Sequence, residues 1–196
     1  MKKSTIRKLP GVTWVKFLGA AIVVCSSLFV HYTTCCTSNR SDLDIQVWFT
    51  PQHPCIDLIV AKILSAKASI LVQAYVITSY KIAAALIEAH KNKVEVQLLI
   101  DKDAKHTKGS QVDRLLEHGI PIIIDKTVGY AHNKVMIIDD EYVITGSFNW
   151  THAAQVRNAE NVLVIKGKDI NRQFKNNWHI RASAGERLKC ALRRSG

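Results

Sequence analysis

The chain has 196 residues, with 27 Lys and Arg against 16 Asp and Glu for a formal charge of +11. Hydrophobic residues make up 47%, and only 9 Gly and 4 Pro are present, which excludes a disordered, collagen-like or low-complexity protein and leaves room for one domain of ordinary size. A basic balance invites a nucleic acid or an anionic membrane as partner, but it does not say where the charge sits.

In chain order, the first segment is unlike the rest. Lys2, Lys3, Arg7, Lys8 and Lys16 precede an apolar run from Phe17 to Val30, and the first acidic residue is Asp42. A cationic flank followed by 14 apolar residues fits a secretory signal better than a spanning helix, which needs about 20. No A-x-A site follows the run, so an uncleaved N-terminal anchor stays open beside the cleaved signal, and an ordinary buried helix stands behind both. The domain boundaries read as 1–36 for the signal or anchor, 41–181 for the folded domain and 182–196 for a basic tail. The expected location is export, or attachment to a membrane.

Short apolar runs then alternate with amphipathic segments, the pattern of an α/β domain. Ile45 to Phe49 reads as a strand ended by Thr50-Pro51. Ile56, Ile59, Val60, Ile63 and Leu64 lie on one face of a helix. Ser69 to Val76 is the next strand, Ile82, Ala85, Leu86 and Ala89 mark a second helix, and Val94 to Ile100 a further strand. Val112, Leu115 and Leu116 give a third helix that stops at Gly119. Ile120 to Ile124 and Asn161 to Ile165 are extended, and Ile170, Phe174 and Trp178 line a final helix. The expected fold is a mixed sheet flanked by helices on both faces, with a central hairpin.

That hairpin carries the chemistry. His132 and Lys134 are followed by Asp139, then by Gly146, Ser147 and Asn149. Strand alternation puts His132 and Lys134 on one face, and Ser147 and Asn149 on one face of the later run. A two-residue loop at Asp140-Glu141 would set His132 opposite Asn149 and Lys134 opposite Ser147. An imidazole, an ammonium, a hydroxyl and an amide then share one patch of phosphate size, with a nucleophile in it. Asp139 falls off that face and reads as structural.

The spacing HxK(x)4D(x)6GSxN over His132, Lys134, Asp139, Gly146, Ser147 and Asn149 resembles the signature of the phospholipase D superfamily. FTP at Phe49 to Pro51, QAY at Gln73 to Tyr75 and RNAENV at Arg157 to Val162 extend the resemblance to the small single-motif bacterial members, the Nuc-type endonucleases and secreted phospholipase D-like proteins. The resemblance implies a phosphodiester hydrolase that works through a phosphohistidine on His132, without metal or cofactor. Lys134, Asn149 and Ser147 would bind the non-bridging oxygens, and Glu160, matching the family's downstream glutamate, would support the histidine. Two such histidines are needed and one full motif is present, which implies a homodimer. DNA or RNA is one expected substrate and a phospholipid membrane the other. A non-catalytic phosphate-binding membrane module is a third reading, disfavoured because every motif residue is present. Mitochondrial cardiolipin hydrolase-like proteins share the motif and an N-terminal membrane segment, but Pro51 to Cys55 leaves no room for their Cys/His-rich insert. Secreted bacterial members can carry a cysteine just before FTP, a position that Trp48 occupies here.

Other residues have plainer explanations. The string His106, Lys108, Asp113 repeats HxK(x)4D without a following strand or GSxN and reads as coincidence in a solvated loop. His152 suits the start of a helix or loop, and His53, His90, His118 and His179 suit the surface. Phe148 and Trp150 could line a groove or pack beneath the hairpin, and Gln73 and Tyr75 read as core or supporting residues. The cysteines Cys25, Cys35, Cys36, Cys55 and Cys190 are odd in number and lack zinc spacing, leaving a Cys55 bridge to Cys35 or Cys36 as a weak option. Charge also separates along the chain: residues 1–40 hold six basic and no acidic residues and residues 181–196 five and one, so the stretch between is nearly neutral.

Overall fold

Two patterns alternate along the sequence, β-branched runs and segments with apolar residues three or four apart, and the fold alternates strands and helices in step. The computed structural model describes residues 43–126 and 129–189. The signal or anchor expected at 1–36, and Cys25, Cys35, Cys36 and Cys190, lie outside the described residues. In chain order the elements are β1 (Asp44–Phe49), α1 (Cys55–Ser65), β2 (Ser69–Ala74), α2 (Tyr80–Lys91), β3 (Glu95–Ile100), a 3-10 turn (Ala104–His106), α3 (Val112–Glu117), β4 (Ile122–Ile124), β5 (Lys134–Ile138), β6 (Tyr142–Gly146), α4 (His152–Val156), β7 (Asn161–Lys166), α5 (Lys168–Ser183) and β8 (Glu186–Arg187). No helix among the described residues is long and apolar enough to cross a membrane.

The strands form one sheet in the order β1-β7-β6-β5-β2-β3-β4-β8. β2, β3 and β4 run parallel, joined by crossovers through α2 and α3, and every other pairing is antiparallel. Strand alternation splits the apolar residues between two faces. Val72, Leu98, Met136, Ile144 and Val164 meet Ile59 and Ile63 of α1, Ile82 and Leu86 of α2 and Leu115 of α3. Leu71, Leu99, Val135, Ile137 and Ile165 meet Trp178 of α5 on the other side. Full burial of each such side chain contributes about 1.5–3 kcal/mol. The expected helices on both faces and central hairpin are present.

Local signals explain the helix ends. Ser79 caps α2 by accepting from the Ile82 amide at 3.4 Å. α3 stops as expected, with Gly119 two residues beyond it at φ +81°. β8 pairs with β4 inside the stretch that the sequence reads as a basic tail. Cys55 is a buried free thiol, and the partners expected for it, Cys35 or Cys36, lie outside the described residues. Burial pushes the Cys55 thiol up, partly offset by a backbone hydrogen bond.

The hairpin register differs from expectation. Val135 pairs with Thr145 and Ile138 with Tyr142, so the loop is Asp139-Asp140-Glu141 rather than Asp140-Glu141. Asp139 has φ +53° and leaves the strand, because its carboxylate and amide are engaged by the segment that leads into β2. The backbone N–H groups of Lys67, Ala68 and Ser69 donate to that carboxylate at 2.7–3.0 Å, and its own N–H donates to Ser69 O at 2.8 Å. The loop gains a residue and every cross-strand partner moves by one. His132 with Asn149 and Lys134 with Ser147 are therefore not cross-strand pairs; β5 begins only at Lys134 and β6 ends at Gly146.

Candidate active site

The site is assembled where β5 starts and β6 ends, beside the carboxyl end of the parallel strand β2. Lys134 lies opposite Ala74, the last residue of β2, so Tyr75 follows directly beside it. Lys134 is buried, with only 6% of its surface exposed, while His132 is exposed. The Lys134 ammonium lies 2.8 Å from His132 Nδ1 and 3.1 Å from Nε2, and donates to His132 O at 2.7 Å. An ammonium only donates, so the ring nitrogen it bonds keeps its lone pair. Burial pushes the Lys134 ammonium below its usual range, and the negative charge of Glu160 opposes that shift. Tyr75 packs on the His132 ring with centroids 4.3 Å apart, and the Lys134 charge lies 5.0 Å from the Tyr75 ring.

Gly146 makes the second half of the motif possible. Its φ is +145°, and a Cβ there would sit 2.2 Å from Asn161 O on β7. The absence of a side chain lets β6 press against β7, and the Ser147 N–H then donates to Asn161 O at 3.2 Å. Ser147 Oγ accepts from the Asn161 N–H at 3.1 Å and donates to Glu160 Oε2. Asn158 Nδ2 donates to the other Glu160 oxygen at 2.8 Å. Further along, the Thr78 and Ser79 N–H groups donate to Trp150 O, and the Trp150 N–H donates to Val76 O. These bonds bring Asn149 to the carboxyl end of β2. Asn149 Oδ1 is buried with no hydrogen-bond partner, an unmet polar group at the motif itself.

Two clefts flank this arrangement. One of about 360 Å³ is lined by His132, Lys134, Val135, Thr145, Ser147 and Phe174. The other, about 490 Å³, is lined by Phe49, Gln52, His53, Glu160 and Asn161. The Ser147–Glu160 hydrogen bond joins a residue of the first to a residue of the second.

The structure thus brings together His132, Lys134 and Ser147 around one cleft. Glu160 bonds Ser147, and none of the hydrogen bonds of the described residues joins it to His132, whose ring nitrogens meet Lys134 instead. Asp139 sits at the hairpin turn on the far end of β5. Phe148 and Trp150, each 1% exposed, are core rather than groove. His106 and Lys108 are exposed, and Asp113 pairs with Lys105 at 3.1 Å, so the second HxK string stays a solvated loop. Among the described residues no three His, Cys, Asp or Glu side chains gather as a metal site.

Three supporting residues escaped the sequence reading or were undervalued by it. Tyr75 touches the His132 ring directly. Asp101, 1% exposed at the end of β3, accepts from the Ala131 N–H at 2.7 Å and so pins the residue before His132. Its signal was a carboxylate at the carboxyl end of a parallel strand, where open α/β sheets place their sites. Thr50 holds the Glu160 loop: its N–H donates to Glu160 O, its hydroxyl donates to Asn158 O, and the Glu160 N–H donates to that hydroxyl, all at 2.9–3.0 Å.

Comparison with known proteins agrees with this geometry. The family described as Cardiolipin synthase, PLD-like domain, matches residues 59–179. The chain is 42% identical over 148 residues to a phospholipase D of Rickettsia bellii, covering 76% of this chain and 72% of that protein. A mitochondrial cardiolipin hydrolase of Chlamydomonas reinhardtii is 34% identical over 120 residues, 59% of this chain and 54% of its own length. Among solved structures, the phospholipase D family member Nuc from Salmonella typhimurium superposes with a TM-score of 0.71 at 33% identity, over 76% of this chain and 99% of Nuc. With a family match over residues 59–179, a superposable fold and this degree of identity, the chain belongs to the phospholipase D superfamily, a family of phosphodiesterases.

Proposed function

We propose that the protein hydrolyses phosphodiesters in two steps through a phosphohistidine on His132. The observation that carries this reading is the Lys134 ammonium held within hydrogen-bond distance of the His132 ring, at the mouth of a cleft shared with Ser147. In the first step a His132 ring nitrogen attacks phosphorus, a P–N bond forms and the P–O bond to the leaving alcohol breaks. A second histidine gives the leaving oxygen its proton. In the second step that histidine takes a proton from water, whose oxygen attacks phosphorus and releases His132. Lys134, Asn149 and Ser147 stabilise the charge that builds on the non-bridging oxygens. Glu160 orients Ser147 and offsets the Lys134 charge. An ammonium, an amide and a hydroxyl supply the electrophilic stabilisation themselves, so the reaction runs without a metal ion or other cofactor.

One full motif supplies one histidine, and a homodimer facing two copies of His132 across a two-fold axis supplies the other. Residues 1–36 act as a secretory signal or membrane anchor in the same reading, placing the domain outside the cytosol or at a membrane. Esters of nucleic acids, as in the Nuc-type reading, and of phospholipids present the same phosphorus to this site.

The test assays the full-length protein in EDTA against plasmid DNA, single-stranded RNA and phospholipid vesicles, with His132→Ala beside it. Hydrolysis of at least one substrate in EDTA is expected, with a loss of about 10³-fold or more in the variant. Denaturation in alkali during turnover, where a P–N bond survives, should trap the phosphoryl ester on His132. Activity abolished by EDTA, or retained by His132→Ala, overturns the mechanism.

A further inference from the structure

The His132 ring gains positive charge in a place that resists it. When a neutral imidazole attacks phosphorus it gives up its lone pair, and while the second nitrogen keeps its proton the ring becomes cationic. The Lys134 ammonium lies 2.8 and 3.1 Å from the two nitrogens of that ring and is itself buried. Two like charges this close, partly withdrawn from water, disfavour the charged ring. Among the described residues no carboxylate hydrogen-bonds to the ring, since Glu160 bonds Ser147 and Asn158 instead.

The group that does meet the ring is Tyr75. The two rings lie 4.3 Å apart at a tilt of 50°, and the same Tyr75 ring lies 5.0 Å from the Lys134 ammonium. An aromatic face is the negative pole of the ring's quadrupole and attracts a cation within about 6 Å. Tyr75 is also fixed in place. Gln73 O accepts from the Trp150 indole N–H at 3.0 Å, Ala74 O from the Asp101 N–H at 3.0 Å and Val76 O from the Trp150 backbone N–H at 3.2 Å. The backbone on both sides of Tyr75 is thus tied to Asp101 after β3 and to Trp150, the residue after Asn149. Tyr130 makes a T-shaped contact with the Tyr75 ring at 6.0 Å.

We propose that Tyr75 is a positioning residue for the reaction: its ring holds the His132 imidazole in place and favours the positive charge that the imidazole takes on as the P–N bond forms. The proposal rests on the phosphohistidine reading. In that step the lone pair of a His132 nitrogen forms the P–N bond. The P–O bond breaks with its electron pair passing to the leaving oxygen, which the second histidine protonates, and the His132 ring is left positive. The aromatic face attracts an imidazolium more strongly than a neutral imidazole. The gain therefore falls on the transition state of phosphohistidine formation and not on substrate binding. In the second step the electron pair returns to His132 and the ring loses its charge, so Tyr75 speeds the first step alone.

The experiment follows single-turnover release of nitrophenolate from bis(p-nitrophenyl) phosphate by the full-length protein in excess. It compares wild type with Tyr75→Phe, Tyr75→Leu and a series in which mono-, di- and trifluorophenylalanine replace Tyr75. Fluorine drains the quadrupole of the ring and leaves its shape nearly unchanged, so the series separates charge stabilisation from packing. Tyr75→Phe should keep the wild-type rate within about twofold. The rate should fall with each fluorine, reaching a loss of about tenfold in the trifluoro protein and in Tyr75→Leu, with half-saturation unchanged. Equal rates along the fluorinated series, a loss confined to half-saturation, or a Tyr75→Phe protein as slow as Tyr75→Leu overturns the proposal. If the wild type hydrolyses no diester at all, the phosphohistidine reading fails, and acylation of His132 by diethyl pyrocarbonate in mildly alkaline buffer decides the role of Tyr75. That attack also leaves positive charge on the ring, so a rate that falls along the series upholds the proposal and an equal rate overturns it.

Discussion

Gly146→Ala tests how the site is held together. A Cβ on Gly146 would stand 2.2 Å from Asn161 O, 2.9 Å from Asn161 Oδ1 and 3.0 Å from the Asn161 carbonyl carbon. Carbon and oxygen in contact normally approach to about 3.3 Å, so β6 and β7 must part by about 1 Å. Overpacking of this kind costs about 1–3 kcal/mol. The backbone at φ +145° adds about 1–3 kcal/mol for any residue with a side chain. The total, about 2–6 kcal/mol, is a large part of an ordinary domain's ~5–15 kcal/mol. Asn161 O accepts from the Ser147 N–H, and the Asn161 N–H donates to Ser147 Oγ, so the displacement reaches Ser147 and through it Glu160. Urea unfolding should show the midpoint lowered by about 1 M or more with the slope unchanged. Hydrolysis of a soluble phosphodiester should fall in conditions where the variant is fully folded. A variant with the wild-type midpoint and wild-type rate would refute this account of why the motif has glycine here.

Two other perturbations test the supports. Burial pushes the Asp139 carboxyl up, but hydrogen bonds from the backbone of Ser69, Lys67 and Ala68, with the Lys67 charge, outweigh it and hold the group below its usual range. With the folded value below the unfolded one, near 3.9, its stabilisation is present above that pH and is lost as pH falls through the folded value. Asp139→Asn should therefore cost about 1.5–3 kcal/mol at neutral pH, with the difference from wild type shrinking below about pH 4; a pH-independent difference in chemical denaturation would refute the assignment. Thr50→Val removes the hydroxyl that accepts from the Glu160 N–H and donates to Asn158 O. It should destabilise by about 1–3 kcal/mol and lower kcat/KM on a soluble diester, with Thr50→Ser restoring the rate; full activity in the valine variant would show that Glu160 is placed without it.

Much of this protein was legible in one dimension. Period-two apolar runs and i, i+3, i+4 patterns located every strand of four or more residues and the main helices within a few positions, because burial on one face imposes its period on the sequence. His132, Lys134 and Ser147 were legible because a short hairpin sets their spacing, and Glu160 only through the family resemblance of the stretch that holds it. β8, two residues long, left no pattern of its own. The hairpin register was also beyond the sequence, because it depends on Asp139 being drawn out of its strand by amides some seventy residues earlier in the chain. Tyr75, Asp101 and Thr50 join the site only through the sheet order, which sets β2 beside β5 and β1 beside β7. Local periodicity thus determined the elements and the chemistry of one hairpin, while long-range pairing decided which residues support that chemistry.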